Sequence, residues 1–394
     1  MHPTGFAAKI RVRMATHVQI QPIMLTWARK RAGLELNDLT RRFPQLAAWE
    51  RGERTPTLRQ LEDFAQAVRV PVGYLFLPTP PDEPLPVPDL RTMAGRPVAR
   101  PSPELLDTLY LCQQRQDWYR EYAQLQGLSR VPFVGTASLQ DDPARVAVRM
   151  RETLGFSVRE RQQLPTWTDA LRQLANKAEE AGVLVMASSI AGNNTRRKLN
   201  AAEFRGFALV DDLAPLVFLN ATDSKAAQIF TLAHELAHIW LGESGVSNVE
   251  VGRRATHQVE QWCNAVAAEL LVPLDDFRNQ YQAGASLTDE TQRLARHYKV
   301  STLVILRRAF DCGLLDEQSL WMAYQQETER LQRRGAGGGN FYRTLRMRTG
   351  QRFASAVVSS ALEGQTPFRD AFRLLGIRKT ATFWAIVREL KVLS

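Results

Sequence analysis

Apolar positions along the chain fall mostly at helical spacing, with one central region of strand-like runs. Between Pro22 and Leu77 the pattern predicts four helices, Pro22–Arg31, Leu34–Phe43, Pro44–Gly52 and Thr55–Val68, closed by Val70–Leu77. Gly33 separates the first two, and Pro44 suits the first turn of the third. Further helices are expected at Leu105–Gln126, about 142–154 and 167–181, then a strand at Gly182–Ser188. Two β-rich runs, Gly206–Val210 and Leu216–Asn220, flank the polar turn Asp211–Pro215 and read as a hairpin with an edge for an extended peptide. The stretch Lys225–Leu241 is rich in Ala and Leu with no Pro or Gly inside. Ser224 or Asp223 can cap its start and Gly242 can end it. A second apolar helix runs from Val259 to Pro273, and Leu294–Phe310 reads as helix, Lys-Val-Ser turn, helix, with Ser301 as a cap. Phe353–Leu362, Thr366–Leu375 and Thr380–Leu390 complete the pattern. The fold class is α+β, mainly helical, with a small sheet.

The helix at Lys225–Leu241 contains His234-Glu235-Leu236-Ala237-His238, an HExxH motif. Residues four apart on a helix point the same way, so two imidazoles can share one metal ion. The glutamate beside the first histidine can reach a metal-bound water and take its proton, the chemistry of a zinc peptidase. One histidine in the core and one on the surface would be the plainer alternative, but the motif lies inside a good helix, as the chemistry requires.

A catalytic zinc ion takes three protein ligands and leaves a position for water. Glu260 and Glu269 are the candidates for the third ligand. They lie nine residues apart, half a turn out of phase, and should not face one point. Glu260 is favoured because Asn264 follows on its own face, where an amide can hydrogen-bond a ligand histidine or orient the carboxylate. Cys263 has apolar neighbours and reads as core, and His257 is either an oxyanion stabiliser or a surface residue.

The run from Arg205-Gly206-Phe207 through His234–His238 to Glu260-Gln261-Trp262-Cys263-Asn264 and Ala267–Pro273 resembles the ImmA/IrrE metallopeptidase family over about residues 170–310. The resemblance implies zinc held by His234, His238 and Glu260, Glu235 as general base, and a specific protein regulator, repressor- or toxin-like, as substrate. Separately, Trp49-Glu50-Arg51-Gly52 and Pro56-Thr57-Leu58 resemble the XRE/Cro type of helix-turn-helix. That implies a DNA operator as partner, with Gln45, Arg51 and Arg54 at bases or phosphates. The junction at Phe43–Pro44 is shorter than usual for such a motif, and a helical bundle that binds protein is the alternative. The combination of modules resembles antitoxin-like regulators, which implies a second reading. In it the chain represses its own operon and binds a PIN-like ribonuclease toxin, with the peptidase fold latent or a scaffold.

Charge adds a further partner surface. The formal net charge is +10 over 394 residues. Residues 20–70 hold nine Lys/Arg and six Asp/Glu, whereas residues 330–394 hold thirteen and three, so the carboxyl end carries the main basic excess. Arg343, Arg346, Arg348, Arg352, Arg378 and Lys379 make that end a candidate for nucleic acid or an acidic partner, with solvated surface charge as the alternative. Nine prolines between Pro78 and Pro103 predict a stiff extended linker. The basic loop Gly192–Lys198 is a candidate cover for a substrate groove, and Gly335–Gly339 reads as a flexible joint. The expected division is a helix-turn-helix domain at 1–80, linker and helix at 81–135, metallopeptidase at 136–285, a helix-turn-helix-like unit at 286–334 and a basic helical domain at 335–394. Cys112, Cys263 and Cys312 form no framework of pairs. With no twenty-residue apolar run and no signal-peptide core, a cytoplasmic protein with no membrane partner is expected, and a homodimer is compatible with the reading.

Overall fold

A computed structural model describes residues 17–83, 85–90, 101–247, 257–332 and 347–390. These residues fall into two compact units. One holds those up to Glu83 together with Pro101–Pro103, and the other holds Leu85–Leu90 and those from Glu104 onward.

The first unit contains α1 (Pro22–Arg31), α2 (Leu36–Thr40), α3 (Leu46–Glu50), α4 (Leu58–Val68) and a 3-10 turn at Val72–Phe76. Met24, Leu25, Leu39, Phe43, Leu46, Trp49, Leu61, Phe64 and Leu75 share its core. Thr57 caps α4, and Gln60 returns a bond to the Thr57 N–H. Arg29 forms a two-pronged ion pair with Glu50, at 2.7 and 3.0 Å. The second helix stops at Thr40 and the third begins at Leu46, so Arg41–Gln45 form a five-residue turn in place of the expected abrupt junction. Pro44 disfavours helical geometry at Phe43, which ends α2 early while Phe43 still reaches the core.

The second unit is built on a four-stranded mixed sheet in the order β1-β3-β2-β4. Its strands are β1 (Leu184–Ser188), β2 (Gly206–Leu209), β3 (Leu216–Asn220) and β4 (Gly245–Ser247). The central hairpin forms as expected, with Phe207 opposite Phe218. It offers no free edge, because β1 pairs parallel with β3 and β4 pairs antiparallel with β2.

Both sheet faces are buried, which explains why the strands read as unbroken apolar runs. Val185, Ala187, Ala208, Val217 and Leu219 join a core with α6 (Pro143–Leu154), α8 (Trp167–Glu180), α9 (Lys225–Leu241) and α10 (Gln258–Leu271). The alternate residues Leu184, Met186, Phe207, Leu216 and Phe218 join a second core with α5 (Pro103–Leu125) and three carboxyl-terminal helices, Gln351–Leu362, Phe368–Leu375 and Thr380–Leu390. Short helices at Val158–Gln162 (α7) and Leu274–Gln280 (α11), not foreseen from the pattern, bridge longer elements.

This packing changes several expectations. The carboxyl-terminal helices do not stand apart, because Phe353, Val357 and Phe383 lie in the core under the sheet. Arg352 donates to the Tyr119 hydroxyl and the Glu179 carbonyl, so it fastens the tail instead of facing a partner. Arg348 is partly buried, Arg378 and Lys379 are exposed, and Arg343, Arg346 and Gly335–Gly339 lie outside the described residues. Leu85 and Val87, in the proline-rich stretch, pack against the second core. The loop after β1 is tied to the tail-side helices, through Arg197 to Glu104 and Asp107 and through Asn193 to the Gly376 carbonyl. Leu287–Tyr298 (α12) and Thr302–Asp311 (α13) meet at a turn capped by Ser301, as expected. No residue from Ser301 to Phe310 is fully exposed, so α13 packs mainly into the core, with Ser301, Leu303, Arg307 and Phe310 half-buried. Among the described residues no helix is long and apolar enough to cross a membrane.

Candidate metal centre

Helix α9 starts at a Ser224 cap, where the hydroxyl accepts the Ala227 N–H, and ends at Gly242 in the left-handed region, φ 80°. Every residue from Gln228 to Trp240 is buried. A helix buried all round has no solvated face for polar residues. Yet His234, Glu235 and His238 lie within it, each 0 % exposed. Buried titratable groups need partners, and here they supply one another.

Glu260 enters from the first turn of α10. His234 Nε2 and His238 Nε2 are 3.1 Å apart, His238 Nε2 lies 3.2 Å from Glu260 Oε1, and His234 Nε2 lies 3.4 Å from Glu260 Oε2. Zinc–ligand bonds of about 2.0–2.1 Å in a tetrahedron place the ligand atoms about 3.3 Å apart. The three side chains therefore fit a zinc-sized ion, and among the described residues they form the only His/Cys/Asp/Glu group of this compactness. The His238 Nδ1 lies 3.2 Å from the Glu243 carbonyl, an arrangement that directs Nε2 at the centre when Nδ1 carries the proton.

The electrostatics follow from burial. Burial lowers the His234 pKa, and the Glu260 carboxylate opposes that shift. For Glu260 burial acts upward, but His234 and His238 outweigh it and hold the carboxyl well below its ordinary range. Burial raises the Glu235 pKa well above the carboxylate range, and the Glu260 charge adds to the rise. The Ser247 hydroxyl acts on Glu235 in the opposite direction without completing a hydrogen bond to either carboxylate oxygen, so a buried acid–base group is left available beside the three ligand side chains.

Asn264 sits one turn after Glu260. Its amide acts on His234 to favour the charged imidazole, yet neither Asn264 Oδ1 nor His234 Nδ1 completes a hydrogen bond. Glu269, the alternative ligand, is occupied elsewhere: it pairs with the buried Arg308 and accepts the Leu274 N–H at 3.3 Å. Cys263 is fully buried and its thiol is pushed up by burial, as a core residue. His257 is exposed at the start of α10, outside the cluster.

Two residues of the site escaped the sequence reading. The Ser247 hydroxyl, on β4, donates to Glu260 Oε1 at 3.2 Å and lies 3.5 Å from His238 Nε2. Gly206, at the start of β2, lies against Glu235; a β-carbon there would sit 2.8 Å from Glu235 Oε1 and 2.7 Å from Thr231 Cγ2. The glycine was visible as a strand residue and in the run that carries the family resemblance, without a role, and a lone serine in a three-residue strand carries no periodic signal. Gln45, Arg51 and Arg54 are exposed in the first unit, with Arg51 paired to Glu53 at 2.6 Å.

Residues 178–310 match the family model described as IrrE N-terminal-like domain (Peptidase_M78). Residues 349–389 match a family described as a domain of unknown function (DUF8813). No curated protein matches the chain. The chain thus carries an IrrE-like metallopeptidase domain with a buried His-His-Glu cluster, and its sheet is backed by helices that resemble a family of unassigned function.

Proposed function

We propose that this chain is a zinc-dependent endopeptidase that cleaves a specific protein regulator, joined to an amino-terminal helix-turn-helix unit that binds operator DNA in the cytoplasm. The observation that carries the enzymatic reading is the His234–His238–Glu260 triangle, with edges of 3.1–3.4 Å and the unpartnered Glu235 carboxyl beside it. A zinc ion held there would supply Lewis acidity to a peptide carbonyl and to the attacking water. His234, His238 and Glu260 would hold the ion, and the Ser247 hydroxyl would orient the Glu260 carboxylate. The charge of a bound ion would oppose the burial that raises the Glu235 pKa, so that Glu235 would take the proton of the attacking water on a carboxylate oxygen and return it to the departing amine. Burial of the whole centre excludes bulk solvent and strengthens each of these interactions.

The DNA-binding reading rests on the resemblance around Trp49–Gly52 and on the exposed positions of Gln45, Arg51 and Arg54. The test is a Glu235→Gln chain expressed in the native host and recovered with its bound proteins. The variant is expected to keep zinc and retain one uncleaved protein that the parent chain cuts. Unimpaired cleavage by Glu235→Gln would overturn the enzymatic reading and leave the toxin-binding repressor as the better account. Arg51→Ala should weaken operator binding, and unchanged binding would exclude the amino-terminal unit as the reader.

A further inference from the structure

Strand β4 runs along the rim of the metal centre. Its last residue, Ser247, reaches Glu260 and His238. Its middle residue, Val246, pairs with Phe207 of β2, while its own N–H and C=O point outward. Both outward groups are taken by the chain itself. The Val246 N–H donates to the Pro88 carbonyl at 3.1 Å, and the Val246 carbonyl accepts the Leu90 N–H at 3.1 Å, so Asp89 lies opposite Val246 in a parallel bridge.

The side chains fit as well as the backbone. Gly245 and Ser247 are two residues apart and share the sheet face toward the metal centre. A β-carbon at Gly245 would sit 2.5 Å from Leu90 Cδ1, so the absence of a side chain at Gly245 makes room for Leu90. The Leu90 side chain therefore occupies a notch about 7 Å along the strand from Ser247.

The occupant is a weak one by its own chemistry. In Leu85-Pro-Val-Pro-Asp-Leu90 the two prolines have no N–H to donate, and the described ladder to β4 has two bonds. Each bond contributes only about 0.5–1.5 kcal/mol net. Much of the segment's hold comes from being tethered, which supplies a local concentration of about millimolar order.

We propose that the outer edge of β4 is a docking edge for an extended peptide with an aliphatic side chain over Gly245, and that Pro88–Leu90 is a self-ligand that keeps this edge closed. This rests on the reading of the adjacent cluster as the catalytic centre. A protein substrate would replace the self-ligand by pairing with Val246 and would thereby pass beside His238 and Glu260. The segment follows the first compact unit in the chain, so an event at that unit has a covalent route to the edge.

Amide hydrogen exchange at Val246 in the full chain tests this without any catalytic turnover. Leu90→Pro removes the donor to the Val246 carbonyl and is expected to speed exchange about tenfold while leaving zinc content unchanged. Leu90→Asp keeps the donor but loses the aliphatic contact, and is expected to act in the same direction to a smaller extent. A soluble peptide Leu-Thr-Val-Thr-Asp-Leu, in which threonine replaces each proline, is then added at about 1 mM. It should restore protection at Val246 in both variants and leave the parent chain unchanged. Slow exchange in both variants, or failure of the peptide to protect either, would overturn the proposal. Loss of zinc from the parent chain would instead overturn the catalytic reading, so the two failures are distinguishable.

Discussion

Glu260 and Glu269 sit on the same helix, and the account gives them opposite roles that a pair of substitutions separates. Glu269 faces the guanidinium of Arg308, whose side chain is 5 % exposed, and accepts the Leu274 N–H. Removing one partner of a buried ion pair costs about 3–5 kcal/mol, because the other charge stays buried. Here Arg308 keeps the Val272 carbonyl at 2.9 Å and Asp311 at 3.3 Å, and Glu269 is itself 15 % exposed. Glu269→Ala should therefore lose about 2–3 kcal/mol, at or below the lower end of that range. With an m-value of about 3 kcal/mol/M, the urea midpoint of the metal-free chain should fall by about 0.7–1 M. Zinc affinity, read by competition with a chromogenic chelator, should stay within about threefold of the parent. Glu260→Ala should reverse the pattern, with zinc affinity falling by more than about 100-fold. The reasoning is refuted if Glu269→Ala loses the metal, or if Glu260→Ala keeps it.

Two other substitutions address the surroundings of the site. Gly206→Ala forces a β-carbon against Glu235 Oε1, Thr231 Cγ2 and, at 3.0 Å, the backbone oxygen of Phe218. It should cost about 1–3 kcal/mol of stability and cut turnover about 10- to 100-fold with zinc still bound; parent-like turnover would contradict it. Burial pushes the Cys112 thiol up to about 12. A raised thiol pKa favours the neutral form, so its stabilising contribution is complete below about pH 9 and is lost as pH rises toward 12. The native chain should resist Ellman's reagent at Cys112 at pH 8, and Cys112→Ala should flatten the alkaline fall in unfolding free energy. Rapid labelling at Cys112 would argue against its buried setting.

The legible parts of this molecule were those with a local period. The Ser224 cap, the run to Gly242 and the spacing of His234 and His238 specified a helix and its chemistry together, and Gly206–Leu209 with Leu216–Asn220 gave the hairpin. Glu260 was separable from Glu269 by helical phase, although the Arg308 pairing that occupies Glu269 is a contact across 39 residues. What stayed hidden depends on distant parts of the chain. Strand β4 is three residues long and forms only against β2. Gly206 looks like any strand glycine until Glu235 is placed against it. Basic composition suggested a partner surface, with solvated charge as the alternative, but Arg352 directs its donors to Tyr119 and Glu179 while the apolar face beneath closes the sheet. The proline-rich stretch read as a spacer because proline content reports stiffness and says nothing of an edge waiting to be paired.

The central claim is that His234, His238 and Glu260 hold one metal ion beside Glu235. Elemental analysis of the full chain, purified without chelator from zinc-replete cells, tests it most directly. The account predicts about one equivalent of zinc per chain, falling to near zero in His234→Ala while circular dichroism reports a retained helical fold. A parent chain that purifies folded and metal-free, or a His234→Ala chain that keeps the full zinc content, would contradict it.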